Sequence, residues 1–197
     1  MITAVAVGTD PPAVESVPVQ RAATLTEALA RADSGRLWLL GPDAVPAANA
    51  LAPLISAADA TGAPLVSSLP VDATGALVEG ALPRGDEAGT ERLLSAVGRG
   101  LVPIKLAPLT SLLVDVTAAR AVAAPEPERF GPFSDLAWTG RLLEAGPGYL
   151  VLASRVQVST PARPALTALP AVREMRRARL WTRGETLRMA ARVRPAF

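Results

Sequence analysis

Short apolar runs ended by glycine or proline recur along this chain, with capped, alanine-rich segments between them. No other feature constrains the fold as much. "ITAVAV" (2–7) reads as a buried strand stopped by Gly8 and the Pro11-Pro12 pair. "TLTEALARADSG" opens a helix with the Thr24/Glu27 pairing of a capping box and closes it at Gly35. "RLWLL" (36–40) is a second strand. A helix is expected from about Ala47 to Ala60, with Pro46 in its first turn, Gly62 at its end and Pro53 kinking or shortening it. "APLVSSLPV" is a strand, and "DATG" (72–75) turns it into a hairpin or widened connection.

Residues 80 to 90 read as a loop rich in Gly, Pro and charge, and 91–98 as a short helix. "VPIKLAP" is extended, and "LTSLLVDV" has strong β character. Thr117 is expected to cap a short helix, "PEPERFGP" to be irregular, and Ser134 to cap a helix running towards Gly146. "YLVLASRVQVS" supplies one or two strands. Strands alternating with helices predict an α/β three-layer architecture.

Composition narrows the chemistry. Half the residues are apolar but only 4% are aromatic, so the core must be built from Leu, Val and Ala packed between layers. Cys and His are both absent. Disulfides, thiolate metal sites and a neutral-pH imidazole base are therefore excluded. Any metal site must be made of oxygen, which suits Mg²⁺ or Mn²⁺. No apolar run approaches the length of a membrane-spanning helix, and no charged-then-apolar leader opens the chain. The expectation is a cytoplasmic protein.

Charge is unevenly placed. Residues 173 to 194 carry eight Arg against Glu174 and Glu185, a net +6, while the rest carries twelve basic against sixteen acidic residues, a net −4. A near-neutral to acidic body thus ends in a basic segment, expected to be helical. Anionic lipid, nucleic acid, an acidic partner protein and simple packing on its own domain all remain open for it. The acidic body and the lack of aromatic stacking platforms argue against nucleic acid.

Three stretches, in order, resemble the family 2 glycosyltransferases of the GT-A fold, notably their bacterial rhamnosyl- and galactofuranosyltransferase-like branch. They are the segment from "EALARADSGRLWLLGPDAVP" through "LVE", the segment from "VPIKLAPLTSLLVDV" through "SDLAWTGRLLEAGPGYLVLASRVQV", and "REMRRARLW". They cover most of residues 22 to 181. The resemblance implies a truncated GT-A core over residues 1–160 with a mainly parallel sheet. Residues 161–197 then form a linker and a C-terminal basic helix that packs on the domain or on a partner. It also implies transfer of a sugar from a nucleotide-sugar donor with inversion. A cation at a strand end would neutralise the departing diphosphate, and a carboxylate across the cleft would take the acceptor's proton.

Carried over residue by residue, the family's Asp-x-Asp cluster falls on Gly41-Pro42-Asp43, which leaves Asp43 as the lone metal carboxylate. Ordinary turn chemistry, or capping of the next helix, explains Asp43 equally well. The base falls on Asp135, in the pair Ser134-Asp135. A first-turn Asp complementing the helix dipole is the competing account, and the dipole would lower its pKa. The family's next acid is Ala137 here. Trp138 and Arg141 match the "WT.R" segment as substrate-binding residues, or serve as a core aromatic and a packing Arg. Thr9 and Asp10 are weak matches to a nucleotide-contacting turn. The family's closing His is absent, and Gln157, Ser159 and Thr160 stand in its place.

Several losses in one site lead to two expectations. One is a glycosyltransferase-like protein with weak or no activity, using Mg²⁺ or Mn²⁺ if active. The other is a non-catalytic interaction or scaffold subunit, associating with an active glycosyltransferase, with itself, or with the cytoplasmic face of the membrane.

Overall fold

The computed structural model describes residues 2–8, 12, 17–32, 35–78, 81–83, 100–123, 125–159 and 169–178. The expected loop over 80–90, apart from 81–83, and the expected helix over 91–98 lie outside the described residues.

Among the described residues eight strands form one sheet: β1 (Ile2–Val7), β2 (Val19–Ala22), β3 (Arg36–Leu40), β4 (Val45–Pro46), β5 (Leu65–Val71), β6 (Leu101–Ile104), β7 (Ser111–Asp115) and β8 (Gly148–Gln157). The order is β2-β1-β3-β7-β5-β8-β4, with β6 also paired to β8. Strands β1, β2, β3, β5 and β8 point one way, while β4, β6 and β7 oppose them. The sheet is therefore mixed but largely parallel in direction, with antiparallel β7 inserted between β3 and β5.

Alternation along the central strands makes the layers. Val5, Leu37, Leu39, Leu112 and Val114 face one side, where they meet α1 (Leu25–Arg31), α3 (Val116–Ala121) and α5 (Ser134–Leu142). Ala4, Ala6, Trp38, Leu40 and Leu113 face the other, against α2 (Leu51–Thr61). Helix α4 (Pro127–Phe130), a 3₁₀ turn (Gly131–Phe133) and α6 (Leu169–Arg177) gather around Leu106, Phe130, Phe133 and Met175. No helix among the described residues is long and apolar enough to cross a membrane.

Local chemistry sets the ends. Thr24 accepts from the Glu27 amide at 3.2 Å, and the Glu27 carboxylate reaches back to the Ala23 N–H at 2.6 Å. Gly62 closes α2 in the left-handed region, φ 64°, donating its N–H to the Ala58 carbonyl. Four expectations shift. Helix α2 begins at Leu51 rather than near Ala47, because Pro46 pairs with Val156 as an edge strand. Pro53 therefore sits in the first turn, where an N–H would have no intrahelical acceptor, and it does not interrupt the helix. Asp115, not Thr117, caps α3, its carboxylate accepting from the Ala118 N–H at 2.8 Å. "PEPERFGP" (125–132), expected irregular, instead supplies α4 and the first two residues of the 3₁₀ turn, helped by prolines in their first positions.

Buried hydroxyls stitch the centre of the sheet to α2. Trp38 Nε1 lies 3.0 Å from Ser111 Oγ, which lies 2.7 Å from Ser68 Oγ. Ser68 Oγ is 2.7 Å from Ser154 Oγ, which donates to the Ala50 carbonyl at 2.7 Å. An indole N–H can only donate and a carbonyl can only accept, so every proton in this chain runs from Trp38 towards Ala50. Ser154 lies where the β5–β8 register shifts, between the pairs Ser68↔Val151 and Leu69↔Arg155.

Candidate functional site at the carboxyl end of the sheet

Ligands of open α/β sheets bind outside the carboxyl ends of the parallel strands. Here that edge is formed by Gly8 after β1, the Gly41–Asp43 turn after β3, and Thr110 just before antiparallel β7. Helix α5 presents its first turn to the same edge, because Asp135 accepts from the Leu109 N–H at 2.8 Å.

Asp43 is exposed and has φ 59°, the only positive φ on a non-glycine among the described residues. Asp tolerates the left-handed region better than most residues, and the turn closes with the Ala44 N–H on the Gly41 carbonyl at 3.2 Å. The turn account of Asp43 therefore has a geometric basis. The capping account has none, because α2 starts at Leu51 with Ala50 as a cap that makes no side-chain bond.

Gly41 is held differently. Its N–H donates to the Thr110 carbonyl at 2.7 Å. A Cβ at this position would lie 1.9 Å from the Leu109 carbonyl oxygen and 2.8 Å from its carbon. No side chain fits there unless the 108–110 backbone moves.

That backbone is gripped from the other side by α5. Thr139 Oγ1 accepts from the Ala107 N–H at 3.1 Å and donates to the Ala107 carbonyl at 2.9 Å. One Asp135 oxygen takes the Leu109 N–H and the other takes the Leu136 N–H, both at 2.8 Å. Asp43 and Asp135 are thus brought to one end of the sheet, on either side of the 107–110 segment. Thr110 Oγ1, in the same segment, is buried with no hydrogen-bond partner among the described residues.

Burial pushes the Asp135 carboxyl above its ordinary value, against the two backbone N–H groups that favour its charged form. The lowering expected from the helix dipole is overturned, because desolvation outweighs it. Ser134 is the first helical residue and makes no capping bond. The sign of the pH effect follows. A folded-state pKa above the unfolded one makes the folded chain bind the proton more tightly. Asp135 therefore contributes stability that is present at acid pH and is lost as pH rises from about 3.8 through its raised folded value. Urea titrations across pH should show wild type losing stability relative to Asp135→Asn as this window is crossed upward. A constant difference would contradict the assignment.

The two "WT.R" residues lie elsewhere. Trp138 is 1% exposed within the main core, and its indole N–H has no hydrogen-bond partner among the described residues. Arg141 Nη1 pairs with Glu126 at 2.6 Å, and its guanidinium sits 5.3 Å from the Phe130 ring centre. That guanidinium, with Arg129 beside it, holds the Glu126 carboxyl below the usual range. Thr9 and Asp10 lie outside the described residues. Sequence reasoning missed Leu109, Thr110 and Thr139. A mid-helix Thr next to a buried Trp was the one available hint, since such a hydroxyl needs a partner.

The described residues offer a divalent cation one carboxylate at this edge, that of Asp43. Among the described residues no three Asp or Glu converge, Asp43 stands alone, and Gly41 has no room to become a second acid. Octahedral Mg²⁺ rarely rests on one protein carboxylate without phosphate and water.

No protein-family profile matches the chain, and no curated protein sequence matches it. Its backbone does match solved structures. The crystal structure of GalNAc-T7 with UDP, GalNAc and Mn²⁺ aligns with a TM-score of 0.56 and 13% identity over 86% of this chain. The crystal structure of S. aureus TarS residues 1–349 aligns with a TM-score of 0.51 and 10% identity over 89%. The chain spans 38% and 52% of those two chains. At such identities the likeness concerns the fold: an α/β, mixed and largely parallel sheet resembling the GT-A glycosyltransferases.

Proposed function

We propose that this chain is a glycosyltransferase-like protein of the family 2 type, related to nucleotide-sugar transfer by fold, with weak or no transfer activity of its own. The observation that carries this reading is the Leu109 carbonyl lying where a Gly41 side chain would begin. A catalytic cation site needs more than Asp43, and the neighbouring position is filled by backbone. No step through a metal is assigned to this chain for that reason.

What remains is a carboxylate that could act as a base. Desolvation raises the proton affinity of Asp135, which suits acceptance of a proton from a hydroxyl acceptor. Both its oxygens already hold backbone N–H groups, so it also works as a pin for the 107–110 segment. This dual position supports residual activity at most. A second role, as an interaction subunit of an active glycosyltransferase or of its own copies, accords with a retained fold and a reduced site.

Melting temperatures measured with nucleoside diphosphates, with and without Mn²⁺, test this reading. A ligand at a hundred times its Kd adds about 2.7 kcal/mol, which for a chain of this size is roughly 5–11 °C. The expected result is no Mn²⁺-dependent rise. A rise of that size that Asp43→Ala removes would overturn the proposal.

A further inference from the structure

We infer that the outward face of α6 is a docking surface for an anionic lipid bilayer. The helix has two distinct sides. Ala171 and Met175 are buried against Leu106, Phe130, Phe133 and Ala137, with Ala178 packed at the margin. Arg173, Arg176 and Arg177 are exposed, and their i, i+3, i+4 spacing sets them on one stripe.

The helix is fixed in this attitude by charge as well as by packing. Glu174 pairs with Arg129 of α4 at 3.3 Å and with Arg177 at 2.5 Å. Arg129 in turn pairs with Glu126, the partner of Arg141 on α5. Glu174 is thus occupied in holding the helix down. Arg173 and Arg176 have no ion-pair partner among the described residues and are available to an outside anion.

The chemistry favours lipid over the alternatives. The chain beyond α6 adds five more Arg with Leu180, Trp181, Leu187 and Met189 among them. Arginine interleaved with Trp and aliphatic residues matches a phosphate-bearing interface above hydrocarbon. A nucleic-acid surface would call for stacking platforms, and aromatics are 4% of this chain. The rest of the molecule is net negative, so an anionic surface would repel the body and attract only this end. The inference stands independently of whether the protein transfers sugars.

Co-sedimentation of the full chain with phosphatidylcholine vesicles, with and without phosphatidylglycerol, tests it. Binding is expected only to the anionic vesicles and should be reversed by salt. Arg173→Gln with Arg176→Gln should weaken it roughly thirtyfold, each basic residue being worth about 1 kcal/mol near the surface. Arg173→Lys with Arg176→Lys should retain it, and neither pair should move the melting temperature. Equal binding to both vesicle types, undiminished binding of the Gln pair, or tighter binding to a random-sequence oligonucleotide than to the anionic vesicles would overturn it.

Discussion

Gly41→Asp, the substitution that would rebuild an Asp-x-Asp cluster with Asp43, should destabilise the protein by about 3 kcal/mol or more and lower its melting temperature by roughly 6–12 °C. The cause is space rather than charge. Gly41 is not among the glycines with positive φ, so its backbone is one that other residues could adopt. What excludes them is the Leu109 carbonyl, 1.9 Å from the Cβ they would bring. That carbonyl cannot easily withdraw. The Leu109 N–H is held by Asp135, Ala107 is clasped at both ends of its backbone by Thr139, and the Thr110 carbonyl receives the Gly41 N–H. Gly41→Ala is the matched control and should cost nearly as much, since its methyl is the clashing atom. If Gly41→Asp instead folded as stably as wild type and gained Mn²⁺-dependent stabilisation, the 107–110 segment would be a movable element. The reduced-site proposal would then fail.

The strands were legible because the apolar runs of β1, β3 and β7 are bounded by Gly, Pro or polar residues. The layering followed from the same runs. "RLWLL" places Leu37 and Leu39 against one helix layer and Trp38 and Leu40 against the other. Helix ends were less legible where two signals compete. Pro46 satisfies the rule for a helix start, yet pairing with Val156 claims it for the sheet. Thr117 is an acceptable cap, yet Asp115 two residues earlier is better and lies where β7 ends.

The site was legible only as positions. The turn that holds Asp43 and the helix turn that holds Asp135, 92 residues apart in sequence, both border the 107–110 segment, through Gly41 on one and Asp135 on the other. Their environments were not readable. Burial raises the Asp135 pKa while the N–H of Leu109, 26 residues upstream, pulls against it, and the absence of an acid at 41 looked like loss of function rather than a packing requirement. Both are non-local facts. A local reading could therefore see the first turn of α5 and its dipole, but not the desolvation that outweighs the dipole.

Trp138 carries the second large effect. Trp138→Ala should cost about 3–5 kcal/mol in equilibrium denaturation, the usual penalty for emptying a core site of a large aromatic. The side chain is 1% exposed and shares its cluster with Leu37, Leu112, Leu142 and Leu150, from three strands and its own helix. Truncation would open a cavity between α5 and the sheet. Since α5 also carries Asp135 and Thr139, the grip on the 107–110 segment would loosen with it. Trp138→Phe separates the two roles the sequence allows. The indole N–H is buried without a partner among the described residues, so removing it relieves a desolvation cost while most of the apolar area stays. A net change within about 1 kcal/mol is expected. A residue that stacked on a sugar or nucleotide would behave in the opposite way: Ala would leave stability nearly intact and abolish ligand-induced stabilisation. Finding that pattern would return Trp138 to the substrate surface and require α5 to turn outward from its present seat.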